Sequence, residues 1–137
     1  MTLAIRGEIE EARASGRRPN FNGRDLSGSD LSGLDLSGVD FSYALLTGAR
    51  LHRANLQGAV LWSVKAIAAD FSGCNLRGAN LATADLTRSN FRDSDMRRTN
   101  LTGATLRGCD LRSADLRDAK TENTVFDDIL TDSSTRR

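Results

Sequence analysis

The chain has 137 residues, 19 basic and 18 acidic side chains, a formal net charge of +1, one histidine and two cysteines. That length corresponds to one domain, and the near-even charge balance excludes a surface that is of one sign throughout. No segment is long and apolar enough to span a membrane, and Met1–Arg18 lacks the apolar stretch of a secretory signal, so a cytoplasmic location is expected.

The first predicted element is a short helix over Thr2–Ala14. Ile5, Ile9 and Ala12 fall on one helical face, with Glu8, Glu10 and Arg13 on others. Gly16 ends it, and Arg17–Asn20 leads to Phe21, so residues 1–20 read as a cap and linker. A stacked β-structure exposes unpaired backbone and apolar side chains at its ends, and covering one end is the expected task of this helix.

From Phe21 to Leu130 a large apolar residue returns at every fifth position without insertion or deletion, giving 22 consecutive units. This residue, the centre of its unit, is Leu, Phe or Met in 20 of 22 cases, the exceptions being Ala66 and Thr121. Two residues before it stands a small one (Ala49, Ala54, Cys74, Ala79, Ala84, Ser89, Cys109, Ala114). Asp or Asn often stands one before, and Gly often two after. A helix would smear a five-residue step around its cylinder, and a flat strand would flip successive centres to opposite faces. The chain must therefore bend in every unit, where Gly accepts the backbone angles required. The centre and the small residue two before it both point inward.

Segments such as Ala54-Asn55-Leu56, Ala79-Asn80-Leu81, Ala84-Asp85-Leu86 and Ala114-Asp115-Leu116 resemble the A(D/N)LXX pattern of the pentapeptide-repeat family. The resemblance covers residues 21–130. It implies an all-β fold, a right-handed quadrilateral β-helix with four units per coil. On that basis the 22 units make about 5.5 coils, a rod roughly 26 Å long at a strand spacing of ~4.8 Å. Residues 20 apart then stack on one side, which turns the sequence into a surface map.

On that map Asp25, Asp30, Asp35 and Asp40 form a ring around the first coil, one carboxylate per side. Tyr43, Leu45, Val60, Trp62 and Ile67 are apolar residues at outward positions of the second and third coils. Tyr43, Val60 and Trp62 share one side, with Leu45 and Ile67 on the next. Contiguous exposed apolar groups of this kind mark a candidate partner-binding site. The competing explanation is structural: Ala66 is a small centre, and a local shift would let Ile67 turn inward to fill the space. His52, the single histidine, lies outward with no cluster that would make a metal site. Cys74 and Cys109 occupy small inward positions on different sides of the column, as buried thiols rather than a disulfide pair.

Arg77, Arg97 and Arg117 form a ladder, and Arg92 and Arg112 a second on the neighbouring side, with Arg107 beyond. Such a groove can bind a polyanion. Against this, Asp95, Asp110 and Asp115 stand two residues before Arg97, Arg112 and Arg117, where alternation points each pair the same way and makes a neutral, solvated surface. At the far end Thr121 breaks the pattern, and Val125, Phe126, Ile129 and Leu130 leave apolar groups near the polar tail 131–137. Either the tail folds over the last coil or two chains pair end to end as a homodimer.

No catalytic, cofactor or small-molecule signature emerges: the recurring glycines are bend residues, and serines such as Ser27, Ser32 and Ser37 lack a base placed by any motif. The expected function is non-enzymatic: a rigid surface that binds a protein partner or acts as a scaffold. The resemblance adds an alternative, since some family members mimic DNA, bind DNA gyrase and protect it from quinolones. Those proteins are usually longer, and several have loops interrupting the coils, as this chain does not.

Overall fold

The structure, a computed structural model, describes all of residues 1–137. After helix α1 (Thr2–Ala14) the chain winds as a coil held by isolated parallel bridges between residues 20 apart, from Asn20↔Asp40 to Asp110↔Leu130. A bridge every fifth residue at a 20-residue period gives four sides per turn. The β-character is confined to single-residue bridges, and no extended strand or continuous sheet forms. The reason is the bend in each unit, which leaves no run long enough for a strand. The four sides carry the centres Phe21, Leu26, Leu31 and Leu36 in the first coil, and are numbered one to four in that order.

The backbone N–H groups of one unit show why the five positions differ. Leu76, a centre, donates to Asp95 O of the next coil at 2.8 Å, and Gly78 to Arg97 O at 3.0 Å. Asn80 donates to Ala59 O of the preceding coil at 3.0 Å, and Ala79 closes the turn on Leu76 O at 2.9 Å. One N–H remains, that of Arg77, and it donates to the side-chain Oδ1 of Asn75 at 3.1 Å. The recurring Asp or Asn is thus an Asx turn that satisfies a donor the ladder cannot reach. The same bond recurs from Ser27 to Asp25, Ser32 to Asp30, Ser37 to Asp35 and Ser42 to Asp40. The acidic ring of the first coil is therefore a set of turn acceptors.

The residue two after each centre has a positive φ, as the third position of a type II turn requires. Glycine fills it in many units, but twelve non-glycine residues adopt it too, among them Tyr43 at φ 60°. Inside, the centres and the small residues before them form one continuous apolar column. Phe21 stacks on Phe41 along the first side, and Phe71 on Phe91 along the third, with centroids 5.6 and 4.9 Å apart. Phenylalanine thus changes sides between coils two and three, and no complete coil has two. Ala66 lies in the same coil as Phe71, so the smallest centre accompanies one of the largest.

α1 lies across the first coil and buries Ile5, Ile9 and Ala12. Arg13 donates from Nη2 to Ser37 O at 2.8 Å and from Nη1 to Asp35 O at 3.2 Å, while Glu8 pairs with Arg24 at 2.9 Å. The helix so covers carbonyl groups to which no preceding coil donates. At the other end the tail continues the winding one residue late: Asp115 bridges Arg136, a step of 21. Thr135 takes the inward small-residue position, its Oγ1 donating to Leu111 O at 2.8 Å, and Arg137 lies over the Phe126 ring at 5.2 Å. No helix is long and apolar enough to cross a membrane.

Candidate functional site: an apolar, donor-bearing patch on coils two and three

Tyr43, Leu45 and Trp62 are exposed by 51%, 38% and 41%, while Val60 and Ile67 are half-buried. Tyr43 and Trp62 meet edge to face, with centroids 5.1 Å apart and planes at 67°. Ile67 keeps its outward position. Ala66 remains fully buried at the centre and its N–H still donates to Asp85 O at 2.8 Å, but its turn is opened: Ala69 N–H donates to Ser89 Oγ at 3.1 Å, and that hydroxyl donates to Ala66 O. The inter-coil ladder is thus kept beneath the apolar groups, and the Ser89 hydroxyl bridges the one turn that opens beside Ile67.

The Asx turns lapse at the same place, as they do again at Thr105, Lys120 and Val125. Of the residues one before a centre between Leu45 and Lys65, only Asn55 is an Asx; the others are Leu45, Arg50, Val60 and Lys65. The N–H groups of Thr47, His52, Trp62 and Ile67 consequently have no acceptor within the chain, whereas Gln57 still donates to Asn55. Residues 41–69 also contain Arg50, Arg53 and Lys65 and no acidic side chain. The patch therefore combines aromatic and aliphatic side chains, outward backbone donors and positive charge. In the coils that follow Trp62 the first side has no charged outward residue from Asn80 through Gly103.

A scan of protein-family profiles matches pentapeptide repeats, in 8 copies, over residues 35–67, 67–103 and 94–127. The chain belongs to the pentapeptide-repeat family. The family fold is the right-handed quadrilateral β-helix. Among solved structures, a pentapeptide-repeat protein of the Arabidopsis thaliana thylakoid lumen is 32% identical, with a TM-score of 0.67, over 69% of this chain and 66% of that one. The pentapeptide-repeat protein Rfr23 of the cyanobacterium Cyanothece 51142 is 21% identical, with a TM-score of 0.69, over 95% and 97% of the two chains. QnrB1, a plasmid-mediated fluoroquinolone resistance protein, is 20% identical over 83% and 80% of the two chains, with a TM-score of 0.29. A search of curated protein sequences finds no match.

Elsewhere on this pentapeptide-repeat rod, alternation brings the expected ion pairs together. Arg97 holds Asp95, Arg112 holds Asp110 and Arg117 holds Asp115, each with a shortest contact of 2.7 Å. The arginine hydrogen bonds lower the carboxyl pKa values, that of Asp115 to about 2. Arg77 and Arg92 follow Asn75 and Asn90 rather than aspartates and have no carboxylate within salt-bridge distance. Arg107 pairs instead with Asp127 at 3.2 Å.

One cluster was not anticipated. His52 Nδ1 lies 2.8 Å from Ser72 Oγ, and Ser72 Oγ donates to Asp70 Oδ1. The signal was present in the 20-residue stacking of 52 and 72 and the alternation of 70 and 72. The serine proton points at the carboxylate, so the imidazole must donate through Nδ1–H and cannot act as the base that activates Ser72. Cys74 and Cys109 are free and buried, each donating to a main-chain carbonyl at 2.9 Å, and burial pushes both thiols up to about 12. No three His, Cys, Asp or Glu side chains gather as a metal-binding group. At the C-terminal end Leu130 is 52% exposed, with Val125, Phe126 and Ile129 half-buried.

Proposed function

We propose that the chain is a non-enzymatic, cytoplasmic binding module whose partner is a protein. Tyr43, Leu45, Val60, Trp62 and Ile67 make the contact. The observation that carries the reading is the lapse of the Asx turns beneath the patch. Leu45, Val60 and Lys65 stand where Asp or Asn would quench the N–H groups of Thr47, Trp62 and Ile67. Unpaired donors beside apolar side chains are costly unless water or a partner's acceptors satisfy them. With Arg50, Arg53 and Lys65 around them, the complementary surface is an aliphatic segment flanked by carboxylates and free carbonyls. Aromatic residues at such a centre supply most of the affinity of a protein interface.

The test places a photoreactive aromatic residue at position 62 in cells that make the protein. The expected product is a crosslink to an acidic, aliphatic segment, lost when Tyr43→Ser is added. A basic captured surface, or capture unaffected by Tyr43→Ser, refutes the reading.

A second contact is supported by the exposure of Leu130 beside Phe126, Ile129 and Val125: end-to-end pairing of two chains. Light scattering of the native protein and a Leu130→Asp variant tests it, since a native monomer removes it. DNA mimicry toward gyrase requires a continuous negative face. The pairing of Asp95, Asp110 and Asp115 with arginines counts against one.

A further inference from the structure

The ladder on the fourth side is not uniform. Arg97 and Arg117 are held through Nε and Nη2 by Asp95 and Asp115, leaving their Nη1 groups free. Arg77 stands one coil below. Its predecessor Asn75 accepts the Arg77 N–H and turns its amide to Gln57 Oε1 at 3.3 Å, so nothing neutralises the guanidinium. At the adjoining corner, Gly78 leaves open space beneath Arg98, which has no carboxylate within salt-bridge distance either. The result is a cleft of about 230 Å³ lined by Arg77, Arg97, Arg98, Arg117 and Asp118.

We propose that this cleft binds a compact oxyanion, the phosphate group of a small phosphorylated ligand. Two of its guanidinium groups are oriented in advance by their carboxylates, and two are uncommitted. Planar guanidinium donors converging on one space match the tetrahedral oxygens of phosphate. Like charges stacked at a coil spacing of ~4.8 Å repel one another, and an anion between them relieves that repulsion. The same geometry disfavours a nucleic-acid strand. A long polyanion lying along the ladder would meet Asp95, Asp115 and Asp118, whereas a single phosphate need touch only the arginine edges. The site is independent of the aromatic patch.

Arginine Nε–Hε resonances followed during titration with inorganic phosphate and with pyrophosphate, at fixed ionic strength, test the proposal. Saturable shifts confined to Arg77, Arg97, Arg98 and Arg117 are expected. Asn75→Asp gives Arg77 the partner that its neighbours already have, removes no arginine and keeps the turn acceptor. It should weaken phosphate binding at least tenfold with the thermal transition unchanged, and Arg77→Ala should do the same. Arg92→Ala, which removes an unpaired arginine outside the cleft, should leave binding as it is. Equal affinity in the native and Asn75→Asp proteins, or non-saturating shifts at all arginines, overturns the site. So does a DNA duplex that binds both proteins alike with steep salt dependence, since that is diffuse attraction to the basic surface.

Discussion

Tyr43 occupies a position that most neighbouring units give to glycine, with φ at 60°. A left-handed backbone costs a residue with a β-carbon about 1–2 kcal/mol. Glycine avoids that cost but adds roughly 0.4–1 kcal/mol of freedom to the unfolded chain. Tyr43→Gly and Tyr43→Ser both remove the edge-to-face contact with Trp62, which contributes about 0.5–1.5 kcal/mol. Only the glycine variant also relieves the backbone. The expected order therefore has Tyr43→Gly more stable than Tyr43→Ser by about 1 kcal/mol, close to the native protein, a difference of roughly 4 °C in Tm for a domain of this size. Thermal and urea unfolding followed by far-ultraviolet circular dichroism measure it. A serine variant as stable as the glycine variant would refute the strain argument. If Tyr43→Gly also loses the crosslink at position 62, the strain is maintained for the sake of the ring.

Three further outcomes concern the column and its turns. Leu81 is fully buried, so Leu81→Asp places an unpaired charge in the interior at a cost above about 4 kcal/mol, and the β-type dichroism should be lost. Cys74 and Cys109 should resist a thiol reagent at neutral pH and react only at the rate of unfolding, because both are buried with thiols pushed up to about 12. The carboxyl groups of Asp95, Asp110 and Asp115 titrate below the ordinary value in the folded state. Their contribution is thus complete above the unfolded pKa of ~3.9 and is lost as pH falls through the folded pKa, which for Asp115 is about 2. Tm should accordingly be flat from neutral pH to about 5 and fall between about 4 and 2.

The parts of the fold that rest on volume were legible in the sequence. One large and one small apolar residue per five fixed the inward positions, and helical spacing fixed the buried stripe of α1, while the 20-residue stacking came from the family resemblance. The parts that rest on backbone hydrogen bonding were not. Asp25, Asp30, Asp35 and Asp40 read as a ring of charge, because a repeat pattern does not say which donor a side chain satisfies. The left-handed turns at Tyr43, Arg53 and Thr83 were hidden because only glycine announces positive φ. The one-residue slip before Arg136 escaped the count because the centre pattern stops at Leu130, while Thr135 is held by a hydroxyl bond rather than by apolar bulk. At the candidate site the five side chains were visible. The unquenched N–H groups beneath them became visible only once the role of the Asx residues was known.

That role divides each unit into positions that build the rod and one that does not. The centre and the residue two before it fill the column, the residue one before quenches a donor, and the residue two after makes the turn. Only the residue one after the centre is free of structural duty. Its side chain points outward, and its N–H is satisfied by a neighbour or by solvent. Along the rod this position runs through Ser27, Ser32 and Ser37, then His52, Gln57, Trp62 and Ile67, then Arg77, Arg92, Arg97, Arg107, Arg112 and Arg117. At this position the rod is thus polar at its start, carries Trp62 and Ile67 in the middle and six arginines later on, before Glu122 and Asp127 close it, all on one frame. Changing His52, Gln57, Trp62, Ile67 and Arg77 together to serine should therefore preserve the fold, at about 0.5 kcal/mol or less per site apart from the roughly 0.5–1.5 kcal/mol of the Tyr43–Trp62 contact. Asn80→Leu and Asn100→Leu, which strip the acceptors of the Ala82 and Thr102 N–H groups, should each cost more than the average serine change, about 1–3 kcal/mol. If the five serines unfold the coil and the two leucines do not, the assignment of structural and functional positions is reversed.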